Sequence, residues 1–269
     1  MHPSLGKRFE DAVQKGERVL GAWMQLRDSG IAEIYAGLGY DFCCIDMEHG
    51  SIGRETAANC FRALRGTKTA GMVRIGKNDS HLIAAALEDG AQGVIVPMIR
   101  NAKEAEAAVA AGKYRLRRGV GYNIANGHGR FVEEYLGDAD ENLTMIMQIE
   151  NRDAIDDLEN ICRVEGVQGC FIGPYDLSNS YGRPGDFDCP EMVSALGKFI
   201  DVCGRCDVAA GMHILTLTRD HIEQTFAKGY NWAALSIDVV TLCEQSAAIL
   251  EFAGRTPPAT MPSSWRFGS

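Results

Sequence analysis

Eight short apolar runs recur through this chain with helix-like stretches between them, and that rhythm limits its fold more than any other feature. The runs are 19–25 (VLGAWMQ), 42–46 (FCCID), 71–75 (GMVRI), 93–98 (GVIVPM), 144–149 (TMIMQI), 168–172 (QGCFI), 208–214 (VAAGMHI) and 232–237 (WAALSI). Each is nearly continuous in apolar residues and lacks strict polar alternation, the pattern of parallel strands covered on both faces. Helical patterning fills the intervals at 30–38, 80–89, 102–112, 151–163, 190–206, 219–229 and 239–253. Ile31, Ile34 and Tyr35 share one face of the first of these. Ser80 stands where an N-cap belongs, and Gly112 and Gly229 mark C-terminal ends. Strand then helix, repeated, predicts a single-domain (β/α)8 TIM barrel over residues 1–253. An open doubly wound sheet would show a Gly-rich turn after its first strand, and RDSG at 27–30 contains no GxGxxG.

A length of 269 residues suits one such barrel, and a hydrophobic fraction of 46% supplies its core. The net charge of −9 argues against nucleic acid or an anionic membrane surface as a partner. Residues 1–16 read as a charged amphipathic helix without the apolar centre of a signal peptide. No stretch approaches the roughly 18 uncharged apolar residues of a membrane span. Nine cysteines, several inside apolar runs (Cys43, Cys44, Cys170), suit a reducing compartment, so a cytoplasmic location is expected. Cys203-Gly-Arg-Cys206 has redox or zinc spacing, but no second CxxC completes a four-ligand site, and the pair reads as coincidence. The last sixteen residues, 254–269, turn rich in Pro, Ser and Thr and read as a tail outside the barrel, with Trp265 and Phe267 available to dock on a neighbour. Residues 113–137 are too long for a simple crossover and precede the fifth strand, which marks them as a functional loop.

In a (β/α)8 barrel the strand interiors are packed and chemistry gathers at the C-terminal mouth. Polar residues stand at or just past the ends of these strands: Asp46, Glu48 and His49 after the second, Arg74 in the third, Gln148 and Glu150 at the fifth, Asp176 after the sixth. Two carboxylates, Glu150 and Asp176, suit an oxygen-ligated Mg²⁺, Mn²⁺ or Co²⁺, although acidic residues at strand ends are often only solvated. An Asp three residues before His49 can fix the imidazole tautomer and raise its basicity. Arg74, a guanidinium in an apolar strand, must be paired or face an opening. Its planar fork fits a carboxylate or a developing enolate oxygen, and the plainer reading is a salt bridge to Asp46 or Glu48. Gly173-Pro174-Tyr175-Asp176 predicts a tight turn whose Tyr175 and Asp176 amides could converge on an anion.

Together IDMEHG, VRIG, GAQGVIVPMI, RRGVG, MQIEN and FIGPYDLS resemble, in order, the HpcH/HpaI aldolase/citrate lyase family of metal-dependent class II pyruvate aldolases, from about residue 18 to 250. The resemblance implies a TIM barrel with Glu150 and Asp176 as metal ligands and His49, paired with Asp46, as acid/base. It implies that Arg74 binds the pyruvate keto oxygen and that the amides after Gly173 hold the carboxylate. It further implies a hexamer with its last helix exchanged between neighbours.

Some positions depart from the family pattern. Glu88 replaces an Asp that reaches a neighbour's site. Asn123 and Asn126 occupy a loop that usually carries a Ser-like residue and an Arg. His213 replaces a Leu at the seventh strand end. These outer positions read the second substrate, so the expected partners are a 2-oxo acid and an aldehyde or carboxylic acid acceptor. His213 favours a hydroxylated partner or, when protonated, a carboxylate. No lysine lies at a strand end to form a Schiff base, which favours the metal route. Two rival readings remain: a condensing synthase of the same family, of citrate-synthase type, suggested by GPYDLS and the SIDV run at 236–239, and a non-catalytic barrel scaffold.

Overall fold

In the computed structural model, which describes residues 4–215 and 217–256, eight parallel strands close into a barrel. They are β1 (Val19–Met24), β2 (Phe42–Asp46), β3 (Ala70–Arg74), β4 (Gly93–Val96), β5 (Thr144–Ile149), β6 (Val167–Ile172), β7 (Ala209–Ile214) and β8 (Trp232–Leu235). They pair in sequence order, and β8 closes on β1 through Val19–Trp232 and Gly21–Ala234. The helices are α1 (Leu5–Lys15), α2 (Ser29–Leu38), α3 (Arg54–Leu64), α4 (Ser80–Glu88), α5 (Ala102–Gly112), α6 (Val132–Asn142), α7 (Arg152–Asp156), α8 (Leu158–Cys162), α9 (Pro174–Ser180), α10 (Pro190–Arg205), α11 (Arg219–Ala227) and α12 (Asp238–Phe252).

All eight expected strands are present. The helices differ from expectation in five places. The interval between β2 and β3 holds α3, which the sequence pattern left unassigned. Ser80 is the first helical residue of α4, and Asp79 is its cap, accepting from the His81 and Leu82 amides. Residues 151–163 form two short helices broken at Asp157. Gly173-Pro174 opens a helix, α9, rather than a tight turn, because Pro174 at the first helical position has the φ that a helix needs and no amide to leave unpaired. The 113–137 segment ends by entering α6. Of the expected tail, residues 257–269, with Trp265 and Phe267, lie outside the described residues.

Two apolar layers form. Outward-facing strand residues such as Cys43, Ile45, Val73 and Met147 pack under the helices. Inward-facing residues such as Phe42, Cys44, Met72, Ile146, Phe171 and Trp232 fill the barrel. The interior is aromatic: Phe171 stacks on Trp232 with centroids 5.0 Å apart, and Trp23 stacks on Phe171 at 5.6 Å. Two glycines make room for these rings. A Cβ on Gly21 would lie 1.9 Å from the Phe42 ring, and one on Gly211 would lie 1.9 Å from the Trp232 ring. Helix α1 crosses the N-terminal opening. Its Leu5, Phe9 and Ala12 are buried, Phe9 meets Trp232 at 5.3 Å, and Arg8 bonds the carbonyls of Asp41 and Lys68 just ahead of β2 and β3.

Candidate active site at the barrel mouth

Strand side chains alternate, so one inward position fixes the rest. Phe42 and Cys44 point inward, and Asp46 follows them at the top of β2. The same parity lifts Arg74 above Met72, Gln148 and Glu150 above Ile146, His213 above Ala209, and Gln25 above Trp23. The C-terminal ends of different strands thus deliver polar groups to one opening, as this architecture requires.

Asp46 and Arg74 are partners in the β2–β3 register. Arg74 donates Nε to Asp46 Oδ1 at 2.9 Å and Nη2 to Asp46 Oδ2 at 2.7 Å. Trp23 lies under the guanidinium at 4.9 Å and donates its indole N–H to Asp46 Oδ2 at 3.2 Å, while Gln25 Nε2 donates to the same oxygen at 2.8 Å. Burial pushes the Asp46 carboxyl up, but the bonds and charge of Arg74, with Gln25 and Trp23, outweigh it and hold its pKa at about 2. The charged pair is therefore locked by two parallel charge-assisted hydrogen bonds inside the barrel. Among the described residues, Nη1 of Arg74 is left for another oxygen.

The expected coupling of Asp46 to the His49 ring does not form. Asp46 Oδ1 instead accepts the backbone amides of Glu48 and His49, at 3.1 and 3.2 Å. Its lone pairs are consumed by that turn and by Arg74. The His49 imidazole is exposed, with Nε2 3.9 Å from Glu48 Oε2. Glu48 Oε2 also lies 3.2 Å from Arg74 Nε, an ion pair but not a hydrogen bond, since that N–H is aimed at Asp46. Burial pushes the Glu48 carboxyl up to about 7; the Arg74 charge opposes this, and the charges of Asp46 and Asp176 add to it.

Glu150 is buried. Its Oε1 accepts the Met98 amide at 2.7 Å, and Oε2 accepts Gln148 Nε2. Burial pushes its carboxyl up to about 6 despite these donors, and Glu48 and Asp176 add to the effect. Gly173 lets the end of β6 approach Glu150, because a Cβ there would lie 2.8 Å from the Glu150 Cβ. Pro174 then starts α9, the Tyr175 and Asp176 amides head its first turn, and the Asp176 side chain is exposed.

Glu48, Glu150 and Asp176 therefore crowd negative charge at one mouth. Two buried oxygens there, Glu48 Oε2 and Gln148 Oε1, take no hydrogen bond among the described residues. An all-oxygen donor set with surplus negative charge fits a hard divalent cation. Glu150 and Asp176 would hold it, with Glu48 facing it.

His213 is not the protonatable group expected. Its Nε2 is 2.8 Å from the Ser236 carbonyl, which can only accept, so Nε2 carries the proton and Nδ1 is an acceptor. Burial, reinforced by the Arg74 charge, pushes its pKa down to about 4. The ring also packs on Trp23 at 4.8 Å. With no substrate bound, the ring is held neutral and presents Nδ1 as an acceptor, which suits a hydroxyl donor better than a carboxylate.

Three expected residues lie away from this chain's own mouth. Glu88 ends α4 and leads into the start of β4, at the opposite end of the barrel, where Arg54 lies 3.8 Å from its carboxylate. Asn123 and Asn126 bond each other's backbone amides, at 3.0 and 3.2 Å, and Ala125 between them bonds the Glu88 carbonyl. The 121–129 loop is thus anchored beside the end of α4.

A family model for HpcH/HpaI aldolase/citrate lyase matches residues 19–244. The chain belongs to that family. It is 36% identical over 240 residues to a hydroxypyruvate/pyruvate aldolase of Sagittula stellata, covering 87% of this chain and 93% of that protein. It is 32% identical over 244 residues to the 2-keto-3-deoxy-L-rhamnonate aldolase of Escherichia coli K12, covering 89% and 90%. A crystal structure of an HpcH/HpaI aldolase/citrate lyase family protein from Burkholderia cenocepacia superposes with a TM-score of 0.87 at 28% identity, covering 93% of this chain and 98% of that one. As an HpcH/HpaI family member the chain is an enzyme, a carbon–carbon lyase of a divalent-metal-dependent class.

Four groups at this HpcH/HpaI mouth escaped the sequence reading. Gln25 carried the same signal as the others, a polar residue closing an apolar strand. Trp23 and Met98 carried none: the first looks like core, and the second supplies only its amide, from a backbone with φ 57°. Asp238, within the SIDV run, is spent on the Gln25 and Leu26 amides at 3.0 and 2.9 Å, which makes that run a brace for β1.

Proposed function

We propose that this chain is a class II aldolase acting on 4-hydroxy-2-oxo acids through a pyruvate enolate, in both cleavage and synthesis. The observation that carries this reading is the Arg74 guanidinium, held in a fixed plane by Asp46 and flanked by Glu48, at the mouth to which Glu150 and Asp176 also come. Such a preorganised cation meets negative charge developing on a substrate oxygen without having to reorganise. A divalent cation, Mg²⁺, Mn²⁺ or Co²⁺, held by Glu150 and Asp176 would polarise the 2-oxo group as a Lewis acid.

The chain's own groups do the rest. Arg74 Nη1 bonds the 2-oxo oxygen. The first-turn amides of α9 orient the carboxylate. Gln148 positions Glu150 and offers Oε1 to a hydroxyl or water. His49, exposed beside the Glu48 carboxyl, moves the proton of the 4-hydroxyl. His213 Nδ1 accepts from a donor on the second substrate, which favours a hydroxylated aldehyde over an anionic one.

The assembly belongs to the same reading. Helix α12 leaves Leu242, Ile249, Leu250 and Phe252 exposed at 59%, 65%, 40% and 89%, an apolar face suited to a neighbouring copy. In a hexamer of such copies, Glu88 and Asn123 would serve a neighbour's mouth. No helix among the described residues is long and apolar enough to cross a membrane, and a cytoplasmic location accords with the unpaired cysteines. The two relatives from Sagittula stellata and Escherichia coli, both aldolases, favour an aldolase over the condensing synthase.

The deciding experiment incubates purified protein with each cation and a panel of 4-hydroxy-2-oxo acids. Cation-dependent release of pyruvate, abolished by EDTA, is expected. Release that ignores EDTA, or thioester-dependent condensation without cleavage, would overturn the reading.

A further inference from the structure

On the outer face of β6, away from the mouth, three buried cysteines from separate segments meet. Cys162 ends α8, Cys170 lies in β6, and Cys203 is in the last turn of α10. Their exposures are 4%, 0% and 0%, and their sulfurs all lie within 4.8 Å of one another. Cys162 and Cys170 have Sγ atoms 3.7 Å apart. Four sulfurs placed tetrahedrally about Zn²⁺, at the usual Zn–S length of about 2.3 Å, would be separated by about 3.8 Å. Cys206, half-buried just past α10, borders Cys162 but stands outside that 4.8 Å group, so its thiol would turn inward to join as a fourth ligand. The one-turn spacing of Cys203 and Cys206 brings both to the same side. The missing partners of that pair are thus Cys162 and Cys170, which lack any CxxC spacing of their own.

Two guanidiniums stand at the rim of the cluster. Burial and the neighbouring Cys162 push the Cys206 thiol up, and the charges of Arg163 and Arg205 act the other way. Both arginines are anchored by Glu159, at 2.7 and 3.5 Å. Hydrogen bonds with Cys170 and Cys203 pull the Cys162 thiol down against its burial, and contact with Cys162, together with burial, pushes the Cys170 and Cys203 thiols up. Sulfur donors select soft or borderline cations, whereas the mouth offers only oxygen to a hard one. The partly exposed Cys206 gives an entry route.

We propose that Cys162, Cys170, Cys203 and Cys206 form a structural zinc site that ties α8 and α10 to β6, separate from the catalytic cation. Each thiol releases its proton to solvent as its sulfur takes the metal, and no oxidant or reductant is involved.

The test uses full-length protein, reduced and freed of metal, titrated with Co²⁺ and then with Zn²⁺. A thiolate-to-cobalt charge-transfer band is expected in the wild type and in Glu150→Ala, and Zn²⁺ should bleach it. Carboxylate-bound cobalt gives no such band, so failure here is distinguishable from failure of the aldolase reading. Cys162→Ser should lose the band. Cys206→Ser, milder because that residue is half-buried, should keep the fold and aldolase turnover while weakening Zn²⁺ affinity on the order of tenfold or more. Zinc should raise the thermal midpoint of the wild type and leave that of Cys162→Ser unmoved. No sulfur band in the wild type, an unchanged band in Cys162→Ser, or a Cys162–Cys170 disulfide forming without metal uptake would each overturn the proposal.

Discussion

Asp46 and Arg74 are register partners across β2 and β3, and they bind each other through two parallel hydrogen bonds of 2.9 and 2.7 Å. This relationship changes the part Asp46 plays. It holds the plane of the guanidinium and the backbone of the His49 turn, and it leaves the imidazole to Glu48.

Asp46→Asn should therefore damage both stability and rate. Removing one partner of a buried ion pair costs about 3–5 kcal/mol, because the other charge is left uncompensated. Denaturant unfolding should show a lower midpoint, and turnover should fall with it. A variant of normal stability and rate would show that Trp23 and Glu48 suffice to hold Arg74. Arg74→Lys keeps the charge and loses the fork, so it should not restore activity.

Glu150→Ala and Asp176→Ala should each abolish cation-dependent pyruvate release and leave the circular dichroism spectrum unchanged. The two need not cost equal stability: Glu150 also accepts the Met98 amide, whereas Asp176 is exposed. Activity that survives both substitutions would remove these ligands from the mechanism.

His49→Ala should slow turnover by ~10²–10⁴, the usual range for loss of a positioned acid/base. Glu48→Gln removes a carboxyl that burial pushes up to about 7 in the cation-free protein and that a facing cation would lower, so it should flatten the acid limb of the pH–rate profile. An unaltered profile would place the titrating group elsewhere.

His213 makes a stability prediction with a definite sign. Its pKa is about 4 in the folded protein against 6.5 for the free imidazole. Between those values the unfolded chain binds a proton that the folded chain does not. This contribution is complete above pH 6.5 and is lost as pH falls toward 4. It amounts to on the order of 3 kcal/mol. Midpoints of wild type and His213→Leu should converge or cross on acidification. If their difference is independent of pH, the imidazole is not buried neutral. The same substitution should alter the choice of second substrate while leaving deuterium exchange at the pyruvate methyl group intact.

The strands were legible because both of their faces are covered, which leaves an apolar run with polar groups only at the end. The same logic picked out Asp46, Arg74, Gln148 and Glu150. What stayed hidden depends on which strand lies beside which and in what register. Asp46 has the right spacing for the His49 ring, yet the β2–β3 register sets a guanidinium against it first. His213 looked titratable until the Ser236 carbonyl, turned inward by a backbone φ of 57°, fixed its tautomer. Helix α3 was legible yet unassigned: Ala57, Cys60, Phe61 and Leu64 fall at i, i+3, i+4 and i+7 on one buried face. The cysteine cluster was illegible because its members come from three elements with no shared spacing.

Helix α1 gives the barrel a floor. With Leu5 and Phe9 set into the N-terminal opening and Arg8 riveted to two loop carbonyls, traffic of substrate, product and solvent is confined to the far end. The molecule is a cup, so whatever roofs the mouth, whether a bound substrate or an adjoining copy, alone decides whether a nascent enolate meets its carbonyl partner or a stray proton from water.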